Sequence, residues 1–363
     1  MVVPPVSTEL VLWASVVVLT LMTVAGFITL AESIVRLINN RRQEAVQSDV
    51  RFGMLERMTS VDPDWETWVD GLSAVERTVT RTQLESYLRS TRGAERERLQ
   101  ELGRTLGIPA EAKQTLRDGK RHKQLQALTW LTLLEEPVDE ERLRSVCTAD
   151  SGLRAAGARL LYETDHPDAR PIGTDLLVGD SDTTLSVYGL DTLYLLHRDD
   201  PTPLLERAKT AHTEWRPSLV IQVLTVIRHC GIAGRDAPLA WIVELTDHDL
   251  PTIRAAAALA LAPEGWRSSL RETVDAEALC VDPDAETRRA VYTMLAEWGD
   301  RPALETLSEA ARSETDQRSQ VHALERLYGT AVSPPRPTDG TDDEDYDRAW
   351  RWVRANKEVA PSS

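Results

Sequence analysis

From about residue 120 to 330, apolar positions follow a helical period and recur in blocks. Leu131, Leu161, Leu193, Ile227, Leu261, Leu295 and Leu327 lie 30, 32, 34, 34, 34 and 32 residues apart. Four residues before each stands Ala127, Gly157, Gly189, Val223, Ala257, Val291 or Ala323, every one small or compactly β-branched. An i, i+4 pair shares one helix face. The small member lets a second helix approach, and the aliphatic member fills the gap. Within single blocks, Val220, Val223, Leu224 and Ile227 form an i, i+3, i+4, i+7 stripe, as do Val291, Met294, Leu295 and Trp298.

Helix starts and turns punctuate the same period. Asp150, Asp182, Asp284 and Asp316 share one block position, with Asp249 displaced by one. An aspartate there accepts hydrogen bonds from the first-turn amides and suits the positive helix end. A second helix fits each interval: Glu141 to Cys147, Arg170 to Val178, Pro203 to Ala211, Pro238 to Leu245, Ser268 to Ala278 and Ala303 to Ala311. Turns such as His166-Pro167-Asp168 and Asp282-Pro283-Asp284 separate them. No segment reads as a strand. Two helices per period of 30 to 34 residues predict an all-α chain built as an α-solenoid.

Asp282-Pro-Asp-Ala-Glu-Thr-Arg-Arg-Ala-Val and Leu250-Pro-Thr-Ile-Arg-Ala-Ala-Ala-Ala-Leu carry a resemblance to the short prokaryotic HEAT repeats, with Asp at the cap and Arg just inside the helix. It covers residues 120 to 330 and implies an α-α superhelix with a protein-binding surface. The TPR signature of Trp, Gly-Tyr and Pro positions does not recur. The fifth repeat departs from the pattern, with Arg216-Pro217 where the aspartate is expected.

Ahead of the repeats the pattern changes twice. Leu10 to Leu30 carries no charge over 21 residues, a helix of about 32 Å, which matches the hydrocarbon core of a bilayer. A transmembrane helix is expected over residues 10–35. Residues 1–9 contain only Glu9 as a charge, whereas Arg36, Arg41 and Arg42 follow the span. The expectation is therefore a cell-membrane protein with residues 1–9 outside and the repeat body cytoplasmic. The n-region lacks Lys and Arg, unlike a cleaved signal peptide.

Residues 36–119 ignore the repeat spacing. Trp65, Trp68 and Leu72 form one stripe, followed by helices around Leu84, Tyr87 and Leu88 and around Leu99, Leu102 and Leu106. A capping role for the open end of the repeats is expected. Thr82-Gln-Leu-Glu-Ser-Tyr-Leu-Arg and Glu95-Arg-Glu-Arg-Leu are similar to a class of membrane-anchored prokaryotic HEAT proteins. Those are often encoded beside processive membrane glycosyltransferases that make surface polysaccharide, which implies such an enzyme as partner. Residues 331–363 read as an acidic, largely disordered tail with a possible short helix. In it Tyr346, Trp350 and Val353 share a face.

Composition narrows function further. Acids exceed bases by 58 to 42, giving a net charge of −16, which argues against nucleic-acid binding. Five Lys stand against 37 Arg, and that acidic, lysine-poor balance resembles proteins adapted to high internal salt. Cys147, Cys230 and Cys280 are isolated and the seven histidines are scattered, so neither a metal nor a cofactor is expected. Arg117, Lys120, Arg121, His122 and Lys123 form a basic cluster. With Trp350, its residues Arg117, Lys120, Arg121 and Lys123 are candidate contacts for lipid headgroups or a partner. No catalytic motif is present. The reading is a membrane-tethered, non-enzymatic scaffold for a protein partner. The alternative is a HEAT-like lyase or chaperone acting on a chromophore-bearing or other protein substrate.

Overall fold

The computed structural model describes residues 46–60, 63–148, 150–180, 182, 184–231, 237–330 and 344–359. The expected membrane span lies outside them. Among the described residues every regular element is a helix, and no helix is long and apolar enough to cross a membrane. The chain divides into two compact units between Glu111 and Ala112.

The first unit holds α1 (46–59), α2 (Trp65–Gly71), α3 (Ala74–Ser90) and α4 (Ala94–Thr105). Val50, Met54 and Met58 are spaced four apart and buried, as are Leu84 and Leu88 of α3 and Leu99 and Leu102 of α4. Caps fix the starts. Asp64 accepts from the Thr67 amide, and Ser73 and Glu76 form a reciprocal capping box. Gly93 turns the chain between α3 and α4 with φ of 64°, a conformation that disfavours a side chain. Arginines close the other ends: Arg96 donates to the Leu88 carbonyl at 2.7 Å and Arg98 to that of Met58. Trp65 is buried, while Trp68 and Leu72 are half-buried.

A further helix, α5 (Ile108–Asp118), leads into the second unit, which contributes Ala112 and Leu116 of that helix to its core. There follow α6 (Arg121–Leu134), α7 (Glu140–Cys147), α8 (Ser151–Glu163), α9 (Ala169–Val178), α10 (Val187–His197), α11 (Thr202–Ala211) and α12 (Pro217–Cys230). The remainder are α13 (Ala240–Glu244), α14 (Pro251–Leu261), α15 (Ser268–Thr273), α16 (Ala276–Cys280), α17 (Ala285–Trp298), α18 (Arg301–Ser313), α19 (Gln317–Leu327) and α20 (Glu344–Val359).

The seven recurring pairs fall in seven helices: α6, α8, α10, α12, α14, α17 and α19. All seven aliphatic members are buried to 2% exposure or less, and all seven small members are buried too. Each of these first helices packs on the next in that series, and α19 packs on α20. The others, α7, α9, α11, α13, α15 with α16, and α18, are second helices, matching the expected intervals except at two. The 238–245 interval holds only the five residues of α13 and a 3₁₀ turn, Leu245–Asp247. The Ser268 to Ala278 interval is broken in two.

The aspartate register is correct in part. Asp150, Asp284 and Asp316 accept from the amides of Leu153, Thr287 and Ser319. Asp182 and Asp249 do not cap. A longer turn delays α10, so Ser186 caps it, and Leu250 precedes Pro251 at the start of α14. Asp182 instead accepts from Arg216 Nε of the following repeat at 2.7 Å.

Other arginines tie a first helix to the turn that closes its second helix. The fourth residues of α8, α14 and α17 are arginines. Arg154 reaches Asp180 at 3.0 Å, Arg254 grips Asp282 at 2.7 and 2.8 Å, and Arg288 grips Glu314 at 2.8 Å twice. In α12 the corresponding residue is apolar, and Gln222 substitutes by bonding both the amide and the carbonyl of Leu185.

Two equivalent glycines should respond oppositely to alanine. A Cβ on Gly157 would sit 2.7 Å from Cys147 Sγ and 3.3 Å from Leu143 Cδ1, whereas on Gly189 its nearest neighbour is at 3.5 Å. Alanine gains up to about 1 kcal/mol in a helix interior. Gly189→Ala should raise the urea midpoint, and Gly157→Ala should lower it through overpacking.

Candidate functional site

The basic cluster occupies the turn from α5 to α6. Arg117, Lys120, Arg121, His122 and Lys123 are all exposed, with Lys120 at the N-cap of α6. Lys120, Arg121 and Lys123 stand at the N-terminus of α6, whose dipole opposes cations, whereas Arg117 lies in the last turn of α5, where a cation is favoured. Arg121 is committed within the fold: its Nε lies 2.6 Å from Asp150, the cap of α8. That bond raises the guanidinium's pKa and holds the carboxyl below its usual range. Arg117, Lys120 and Lys123 remain as outward charge.

Trp350 is placed differently. Residues 344–359, within the tail expected to be largely disordered with a short helix in it, form α20, and Tyr346, Ala349 and Val353 are buried on the repeat core. Trp350 is half-buried, its ring 6.1 Å from that of Tyr328. The exposed tryptophan of α20 is Trp352.

Sequence reasoning missed a cleft on the second helices. Arg144 of α7, Asp175 of α9 and Arg207 of α11 line it with Pro171, Ile172, Thr174 and Pro203, and it encloses about 330 Å³. Asp175 sits between the two guanidiniums, 3.3 Å from Arg144 and 3.5 Å from Arg207. Arg144 also bonds Glu140 at 2.8 Å, and these acceptors raise its pKa. The charges stand 31 and 32 residues apart, the spacing of the apolar register. Tracking charge at that period reveals them.

Behind this cleft lies His197, fully buried, its Nε2 2.7 Å from Thr174 Oγ1. The Thr174 hydroxyl donates to the Arg170 carbonyl at 2.6 Å, so Nε2–H is the donor to Thr174, and Nδ1 has no partner. Burial, helped by Arg170, pushes His197 down to about 4. The unfolded state then binds a proton that the folded state refuses. Stability from this group is complete above pH 6.5 and is lost as pH falls from 6.5 toward 4, by about 2–3 kcal/mol. His197→Gln keeps a donor toward Thr174. Urea midpoints at pH 7 and 4.5 should differ less in that variant than in the wild type.

The thiols are poor nucleophiles. Burial pushes Cys147 and Cys280 up to about 12 and Cys230 to about 11. Among the described residues no three His, Cys, Asp or Glu side chains cluster to hold a metal. No protein-family model matches this chain, and neither the curated proteins nor the solved structures contain a match.

Proposed function

We propose that the chain is a membrane-tethered, non-catalytic scaffold. Its second unit is a HEAT-like α-solenoid whose second-helix face binds a protein partner. The carrying observation is the register: seven small-aliphatic pairs, one per first helix, all buried between successive first helices. Arginine-carboxylate bridges tie first helices to the turns that close their own second helices. Such an array presents repeated second helices, and many modest contacts along them add up to affinity.

The uncharged stretch Leu10 to Leu30 and the arginines after it support a single span with the body in the cytoplasm. Tethering raises the effective concentration of a membrane partner. The outward cations Arg117, Lys120 and Lys123 suit anionic headgroups or an acidic partner surface, and Trp350 holds α20 against the last repeat. The preferred partner is an integral-membrane enzyme of the polysaccharide-type glycosyltransferase class, which the sequence resemblance implies.

Affinity purification of the full chain from detergent-solubilised membranes, followed by mass spectrometry, tests this. Stoichiometric recovery of an integral-membrane enzyme is expected. Recovery of the chain alone, or its release from membranes by alkaline carbonate, overturns the proposal.

A further inference from the structure

The second-helix segment between α14 and α17 differs from its neighbours, and the difference opens a site. Residues 268–280 carry neither Gly nor Pro, yet the helix stops at Thr273 and restarts after Asp275, whose carboxylate accepts from the Ala278 amide at 3.0 Å. A cleft of about 520 Å³ lies between α15–α16 and α18, within the size range of ligand pockets.

Its chemistry is divided. The floor is apolar, made by Val274, Leu295, Trp298, Pro302 and Ala303. The rim carries four carboxylates, Glu272, Asp275, Glu277 and Asp300, against one guanidinium, Arg271. Arg271 is already bonded to Asp300, and Asp275 and Asp300 both cap helices. Glu272 and Glu277 are exposed and form no ion pair with the described residues, so they supply the rim's outstanding negative charge.

We infer that this cleft receives a lysine or arginine side chain from an aliphatic segment of the protein partner. A long cationic side chain has an apolar stem and a charged head. The stem lies in apolar contact with Val274 and Trp298. The head meets Glu272 and Glu277 in charge-assisted hydrogen bonds. An apolar ligand would leave the carboxylates idle, and an acidic one would be repelled by them. The assignment rests on the scaffold reading, because it takes the second-helix face as the binding face.

The probe is the fluorescein-labelled peptide Ala-Leu-Arg-Leu-Arg-Ala, titrated by anisotropy against the full chain in detergent, with Glu replacing Arg in a second peptide. The Arg peptide should bind and the Glu peptide should not. Glu272→Gln with Glu277→Gln should weaken binding roughly tenfold or more, and so should Thr306→Trp, which fills the cleft without changing charge. Glu141→Gln with Glu244→Gln removes the same charge from other second helices and should change affinity less than about twofold. Equal loss in both double variants reduces the effect to general attraction toward an acidic chain and overturns the site. Undiminished binding by Thr306→Trp also overturns it. The C-terminal half of α20 in a second copy, which carries Arg351, Arg354 and Lys357, is the competing occupant. Self-association in sedimentation that the added peptide dissolves would assign the cleft to it and overturn a foreign partner. Peptide binding without co-purification of a membrane enzyme removes the scaffold's proposed partner and leaves the cleft standing.

Discussion

Leu261→Asp should unfold the middle of the second unit. Leu261 is fully buried in α14, which packs on α12 before it and α17 after it. The Trp298 indole of α17 donates to the Leu261 carbonyl at 3.1 Å. That ring lies against Gly265, where even a Cβ would come within 2.3 Å. Losing the leucine costs about 2–5 kcal/mol, and burying an unpaired charge adds several more. The expected result is loss of a cooperative urea transition, or a midpoint shifted by at least about 4 kcal/mol in stability. Thr252→Asp is the control: it is exposed in the first turn of the same helix, where an acid is neutral or slightly favourable. Equal midpoints for Leu261→Asp and the wild type would contradict the register.

Glu314→Ala should be nearly as damaging, for an electrostatic reason. Its side chain is 1% exposed and accepts two bonds from Arg288, one from the Tyr292 hydroxyl at 2.7 Å and one from the Asp316 amide at 2.8 Å. Burial alone would raise its pKa, but the bonds from Arg288, Asp316 and Tyr292 outweigh it and hold the carboxyl below its usual range. Removing it leaves a guanidinium that is only 13% exposed with the Asp282 and Pro283 carbonyls but without its carboxylate, and takes the acceptor from a buried hydroxyl. Breaking one side of such a pair costs about 3–5 kcal/mol. Glu314→Gln keeps one acceptor and should fall between. Because the folded pKa is lowered, this contribution is present above pH 4.5 and is lost as pH falls below it. The wild type should therefore lose more stability than Glu314→Ala between pH 7 and pH 3, measured by urea midpoints.

The particular residues show what was legible. The seven buried pairs could be read because burial at a helix-helix contact imposes its period on the chain, and nothing else places small and aliphatic residues four apart every 30 to 34 positions. The caps of α8, α17 and α19 followed from the same period. Asp182 and Asp249 misled because turn length varies between repeats, and a cap moves with its helix rather than with the average spacing. The amphipathic face of α20 was visible, yet whether it docks depends on α19, a tertiary fact absent from local sequence. Trp350 turned inward for that reason.

The candidate surfaces divide along the same line. The exposed cations near Lys120 are a run in the sequence and were seen. Arg144, Asp175 and Arg207 are separated in the chain and meet only across three second helices. The break at Val274 has no glycine or proline to announce it. It is visible only once Asp275 is found capping a new helix.

Hydrogen exchange with mass spectrometry on Leu261→Asp tests the repeat architecture most directly. In a one-dimensional array each repeat is held by its neighbours, so a defect spreads outward and fades. Loss of protection should centre on α12, α14 and α17, while α6 and α8 keep wild-type protection. Equal loss of protection from α6 through α19 would show a single indivisible core and would contradict the account.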